Sequence, residues 1–178
     1  VFAQGPIGLC ATAGARLLGA TTIIAVDGND HRLGIAQKMG ADVTLNFKNC
    51  DVIDEIMKIT GGRGADSAIE ALGTQATFES ALRSIKPGGT LSSLGVYSED
   101  LKIPLSAFAA GLGDHKINTA LCPGGKERMR RLMNVLASNR LDLGLLVTHQ
   151  YKLDDIVAAY DLFAHQRDGV LKVAITPQ

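Results

Sequence analysis

Val1-Phe2-Ala3-Gln4-Gly5-Pro6-Ile7-Gly8, followed by the apolar run Thr22-Ile23-Ile24-Ala25-Val26 and then Asp27, decides how this chain is read. The order is strand, glycine turn, helix, second strand and acid, which is the order a dinucleotide-binding unit requires. Gly5 has no Cβ, so the backbone can come close to a pyrophosphate. Gly8 lets the following helix pack tightly on the strand, and the helix N-terminus offers free N–H groups and a partial positive charge. Asp27 is expected to hold both hydroxyls of an adenine ribose and to repel a 2′-phosphate, which favours NAD over NADP. Ala3 departs from the pattern, because it stands where the first glycine is usual. The competing reading is a tight βα turn closed by Gly5 and Gly8, with Asp27 capping the next segment.

Working outward, strands and helices alternate. A helix is expected over Pro6 to Leu18, and Asp30 is expected to cap another running from His31 to Met39. Val43-Thr44-Leu45 reads as a short strand, and Asp51 opens a helix with Ile53, Ile56, Met57 and Thr60 on one face, ended by Gly61-Gly62. Asp66 to Leu72 is a strand. Thr74 caps a helix with Phe78, Ala81, Leu82 and Ile85 at helical spacing. Lys86-Pro87-Gly88-Gly89 reads as a sharp turn before the strand Thr90 to Val96, and Lys116 to Leu121 reads as a sixth strand. The pattern implies an α/β fold, a doubly wound parallel six-stranded sheet covered on both faces.

After Pro123-Gly124-Gly125 the pattern changes. Two amphipathic helices are expected, one with Met129, Leu132, Met133 and Leu136 inward, the other with Ile156, Ala159, Tyr160 and Phe163. A short strand, Leu171 to Ile175, comes after them. The expected domains are therefore 1–121, a nucleotide-binding domain, and 122–178, a mainly helical C-terminal tail that belongs to a neighbouring domain. Val1-Phe2-Ala3 looks like the end of a strand whose beginning is missing, so the chain reads as a piece of a longer one.

Composition sets the outer limits. The 178 residues are enough for a real core, and 18 basic side chains balance 18 acidic ones, so nothing points to nucleic acid or an acidic membrane surface. Neither a bilayer-spanning stretch nor a signal peptide is expected. Cys10, Cys50 and Cys122 are scattered and odd in number, which argues against a disulfide framework and for a cytoplasmic location.

Several chemistries fall away. His31, His115, His149 and His165 have no metal-ligand spacing with cysteine or an acid, so no metal site is expected in the chain. A tyrosine with lysine four residues on is absent: Tyr97 is followed at that spacing by Leu101, Tyr151 by Asp155 and Tyr160 by Ala164. Gly124-Gly125-Lys126 is followed by Glu127, where a phosphate loop needs Ser or Thr for magnesium. Glu70 lies near the carboxyl end of its strand, where ligands bind in such sheets, and Lys172 could reach a phosphate or be solvated.

Together the segments resemble the cofactor-binding half of a zinc-dependent medium-chain alcohol dehydrogenase. The resemblance rests on Val1 to Leu9, Ile24-Ala25-Val26-Asp27, Thr60-Gly61-Gly62-Arg63-Gly64-Ala65-Asp66, and Lys86-Pro87-Gly88-Gly89-Thr90. Leu121-Cys122-Pro123-Gly124-Gly125 and Leu146-Val147-Thr148-His149 are similar to bacterial secondary-alcohol dehydrogenases in particular. It implies a Rossmann sheet and roles for matching positions. Gly5, Pro6 and Ile7 would present backbone to the pyrophosphate, and Asp27, Gly28 and Arg32 would hold the adenosine ribose. Ala71 and Leu72 would lie along the adenine side, Leu94, Gly95 and Val96 by the nicotinamide, and Lys172 near the pyrophosphate. NAD(H) would be the cofactor and a small alcohol or ketone the substrate, met through the missing domain. Zinc would belong to the full-length enzyme only, and the chain alone would be inactive. A homodimer or homotetramer is implied, with Leu101 to Ala110 expected at an edge contact between subunits. The rivals are a polyol dehydrogenase or quinone reductase of the same superfamily, an S-adenosylmethionine methyltransferase, and a non-catalytic NAD-sensing module.

Overall fold

The first helix, α1 (Pro6–Leu17), begins without a side-chain cap: Gly5 offers none, Pro6 occupies its first position, and no acidic residue lies in its first turn. The next three helices begin differently. Asn29, Asp51 and Thr74 each carry a short side-chain oxygen that accepts amide protons the first helical turn leaves unpaired. Asn29 Oδ1 accepts from the amides of His31 and Arg32 and opens α2, Asp30–Lys38. The expected cap, Asp30, is instead the first residue inside that helix, where its charge faces the positive end of the helix dipole. Asp51 caps α3, Val52–Ile59, and Thr74 caps α4, Gln75–Arg83, exchanging hydrogen bonds with Thr77.

A computed structural model describes residues 1–177 of the chain. It divides into two compact units, Val1–Gly125 and the part from Lys126 onward. In the first unit five strands run parallel: β1 (Ile24–Asp27), β2 (Val43–Asn46), β3 (Ala65–Glu70), β4 (Ile85–Ser93) and β5 (Lys116–Thr119). β1 pairs with β2, from Ile24 opposite Val43 to Asp27 opposite Asn46. β3 and β5 flank β4, with Glu70 opposite Ser93 and Ser93 opposite Thr119.

Phe2 joins the two groups, bridging in parallel to both Val26 and Glu70. The spatial order is therefore β2, β1, residue 2, β3, β4, β5, and it reverses direction at Phe2. The Phe2 amide donates to Ile69 O at 2.8 Å, its carbonyl accepts from Ala71 at 3.1 Å, and the Ala3 amide donates to Val26 O at 2.9 Å. Where six strands were expected, this unit has five and a single bridging residue. The side chain of Phe2 is buried with Val26, Ala68, Phe78, Leu82 and Leu91 in the core beneath the crossing helices. Leu82 and Leu91 are fully buried, worth roughly 1.5–3 kcal/mol each.

Lys86-Pro87-Gly88-Gly89 does not precede a strand as expected. It bulges within β4: Ala65 pairs with Ile85 and Ser67 with Thr90, so the intervening residues loop out of register. Gly88 takes φ +73, which a glycine adopts without strain.

The second unit holds α5 (Lys126–Ala137), β6 (Val147–Lys152), α6 (Ile156–Ala164) and β7 (Lys172–Thr176). The tail is thus not simply helical, because β6 and β7 pair in parallel from Val147 opposite Lys172 to Lys152 opposite Thr176. Its buried side chains are Leu146, Ala159, Val170 and Leu171. α5 buries no residue; Met129, Leu132 and Met133, expected inward, are more than half exposed. In α6, Ala159 is buried as expected, whereas Tyr160 and Phe163 face outward. Amphipathic spacing identifies both helices but not what their apolar stripes face.

Candidate functional site

The carboxyl ends of β1, β3 and β4 lie side by side around the bridging residue, and the turns leaving them form one crevice edge. In a doubly wound sheet this is where ligands bind. The turn after residue 2 is built around two close approaches. Ala3 adopts φ +68, the left-handed region that a glycine would enter freely. Gly8 lies against it so tightly that a Cβ at residue 8 would sit 1.8 Å from the Ala3 carbonyl oxygen. Gly5 is the opposite case. A Cβ there would meet nothing within 4 Å, so the space over the start of α1 is open to a ligand.

Asp27 ends β1 and is 8% exposed. Its Oδ2 accepts from the Gln4 amide at 2.6 Å and its Oδ1 from the Asn29 amide at 2.9 Å. The carboxylate therefore ties the glycine turn to the end of β1. A carboxylate has about four acceptor positions, so each oxygen keeps one for a ligand hydroxyl. Gln4 itself is fully buried: its Nε2 donates to Val1 O at 3.0 Å and its Oε1 accepts from Thr12 Oγ1 at 3.0 Å. Sequence reasoning did not single out Gln4, although a long polar side chain inside a glycine turn is the signal that could have found it. Phe47, just beyond β2, was also missed. Its exposed ring stands over Gly28, where a Cβ would approach the ring to 2.4 Å.

On the other side of Phe2, the carboxylate of Glu70 is fully buried at the end of β3. Its Oε1 accepts from the amides of Leu72 at 2.7 Å and Gly73 at 2.8 Å, and from Thr77 Oγ1 at 2.8 Å. Tyr97 OH donates to Oε2 at 2.7 Å, and the Ser93 hydroxyl lies 2.6 Å from the Tyr97 oxygen. Burial alone pushes the Glu70 carboxyl up. The Gly73 amide, the Tyr97 and Thr77 hydroxyls and the Leu72 amide outweigh it and hold the group below the usual carboxylate range. Burial and the anionic partner push the Tyr97 phenol up to about 12, so it stays protonated and donates.

Most of the sequence-selected residues come together. Gly5, Pro6 and Ile7 open α1; Asp27 ends β1 with Gly28 directly after it, and Arg32 is half-buried on the first turn of α2. Ala71 and Leu72 come directly after β3, and Leu94, Gly95 and Val96 directly after β4. These groups share one crevice edge in the first unit. Ile7, Leu72 and Val96 present exposed side chains there. Lys172 stands on β7 in the second unit. Among the described residues, no three His, Cys, Asp or Glu side chains gather in a way that could hold a metal ion. Among the same residues, no helix is long and apolar enough to cross a membrane.

Comparison with known proteins agrees with this geometry. The family profile of the zinc-binding dehydrogenases matches residues 6–138. An alcohol dehydrogenase of Cupriavidus necator is 84% identical over 177 residues, which are 99% of this chain and 48% of that protein. An NADP-dependent isopropanol dehydrogenase of Thermoanaerobacter brockii is 35% identical over 98% of this chain and 51% of its own length. Among solved structures, an alcohol dehydrogenase from Thermus sp. ATN1 superposes with a TM-score of 0.89 at 29% identity, over 99% of this chain and 50% of that one. The fold is thus an α/β, Rossmann-like one, and the chain spans about half the length of the curated relatives it matches.

Proposed function

The chain belongs to the zinc-binding dehydrogenase family, as the cofactor-binding half of a zinc-type medium-chain alcohol dehydrogenase, and on that premise we propose that it holds NAD(H) in preference to NADP(H). The observation that carries this reading is Asp27, a buried carboxylate fixed by the Gln4 and Asn29 amides at the carboxyl end of β1. Its two remaining acceptor positions suit the paired hydroxyls of an adenosine ribose. Its negative charge opposes a phosphate on that ribose.

Gly5 leaves room for the pyrophosphate. Pro6 has no N–H, so the donors there are the amides of Ile7 and Gly8 at the positive end of α1. Gly28 and Arg32 flank the ribose held by Asp27, and Ala71 and Leu72 line the adenine side. Leu94, Gly95 and Val96 accept hydrogen bonds from the carboxamide of the nicotinamide. When bound, NAD supplies the hydride acceptor for oxidation of a small, preferably secondary, alcohol to a ketone or aldehyde. Zinc and the substrate pocket are assigned to the half of its relatives' length that this chain does not cover.

On the same reading, residues 1–121 form the NAD-binding domain. Residues 122–178 then return toward the catalytic domain. A cytoplasmic homodimer or homotetramer is proposed, with Leu101, Ile103 and Leu105, all partly exposed, at its edge contact. Sedimentation of the full-length enzyme checks the assembly.

Titration of the chain with NADH and, separately, NADPH, followed by cofactor fluorescence, tests the central claim. NADH is expected to bind at least about tenfold tighter, because like-charge juxtaposition costs several kcal/mol and about 1.4 kcal/mol is tenfold. Asp27→Ser should erase the preference. Tighter binding of NADPH by the wild-type chain would overturn it.

A further inference from the structure

We propose that Glu70 is a positioning residue for the nicotinamide half of the cofactor, locking the turn after β3 to the segment after β4 through the hydroxyl of Tyr97. The proposal rests on the NAD(H) reading above and adds to it the device that shapes the second half of the site.

The fold assigns that half. A dinucleotide lies across the sheet at the point where strand order reverses, one nucleoside on each side. Here the reversal is at Phe2, and Asp27 marks the adenosine side at the end of β1. The second nucleoside then lies over the ends of β3 and β4, which are Glu70 and Ser93, paired directly opposite each other.

Beyond those strand ends the chain packs backbone against backbone. A Cβ on Gly95 would sit 2.3 Å from the Gly73 nitrogen and 2.6 Å from Glu70 Oε2. A Cβ on Gly73, at φ +96, would sit 2.4 Å from the Val96 carbonyl oxygen. Two glycine-bearing loops in such contact have little side-chain packing of their own to set their height over the sheet. Glu70 supplies it. One oxygen gathers the Leu72 and Gly73 amides with Thr77 Oγ1, and the other takes the Tyr97 hydroxyl. Tyr97 is anchored in turn by an edge-to-face contact with Phe78, at a 6.1 Å centroid separation. The Leu94 amide donates to the Glu70 carbonyl at 2.8 Å, so residue 70 holds the later segment through its main chain as well.

Glu70 and Tyr97 face the core side of these loops, whereas the Leu72 and Val96 side chains face outward and are well exposed. The carboxylate thus acts on the ligand only through the loops it fixes. The Ser93 hydroxyl at the end of β4 also reaches Oε2, at 3.4 Å, but the short bond to that oxygen, 2.7 Å, is the one from Tyr97 on the second loop.

The test compares NADH with ADP-ribose, which has the adenosine and pyrophosphate but no nicotinamide. Tyr97→Phe keeps the ring and its contact with Phe78 while removing the link to Oε2. Glu70→Gln keeps a carbonyl for Leu72, Gly73 and Thr77 and puts an amide N–H opposite Tyr97, so the charge-assisted bond from the phenol is lost and only a weaker, reversed one can replace it. In each variant NADH binding should weaken on the order of five- to tenfold, as one hydrogen bond to a charged group implies, with ADP-ribose binding unchanged. The double variant should lose little more than either single one, because both break one link. Equal losses for both ligands, no loss for either, or two losses that simply add would overturn the positioning role. Failure of the wild-type chain to bind either ligand would instead overturn the NAD(H) reading, and this proposal with it.

Discussion

Ala3 shows how a single residue can depart from a pattern while the backbone keeps to it. Its φ of +68 is the conformation a glycine would take, and the carbonyl it positions is the one that Gly8 is small enough to meet. An L-residue in that region costs roughly 1–2 kcal/mol, partly offset by the greater freedom glycine has in the unfolded chain. Ala3→Gly is therefore expected to stabilise the chain by about 0.5–1 kcal/mol, read from the midpoint of urea unfolding. An unchanged or lower midpoint would show that the strain is relieved elsewhere. The acid and the glycines are legible in sequence because each has a distinctive job at a fixed spacing. Gln4, Phe47 and the partners of Glu70 are not, because a buried polar side chain is explained by what folds over it, and neighbours such as Thr12, Thr77 and Tyr97 come from 7 to 27 residues away.

At the scale of elements, helix starts divide the legible from the illegible. Asp51 and Thr74 are readable as caps because each stands alone before an apolar pattern. In Asn29-Asp30 two good caps stand together, and Asp27 decides between them: its Oδ1 takes the Asn29 amide and leaves the Asn29 side chain free to turn toward α2. Asn29→Ala should thus cost about 1 kcal/mol, whereas Asp30→Ala should cost less, through the helix dipole and an exposed hydrogen bond accepted from Asn46 Nδ2; thermal unfolding of the two variants distinguishes them. The other misread elements share a cause. Lys86-Pro87-Gly88-Gly89 has turn chemistry but sits inside a continuous pairing with β3, and β6 alternates too weakly to announce a strand. Pairing between distant segments overrides local preference in both.

At the scale of the molecule, the sequence conveys a parallel α/β sheet, because alternating strands and helices leave few topologies open. It does not convey the exposure of α5, since periodicity marks an apolar stripe without naming its partner. Nor does it convey that Phe2 and its neighbours are hydrogen-bonded to both groups of strands, to Val26 on one side and to Ile69 and Ala71 on the other. A dinucleotide lying across that seam would act as a clasp between the two groups, and amide hydrogen exchange should show it as slower exchange at Val26 and Ala71 once NADH is added.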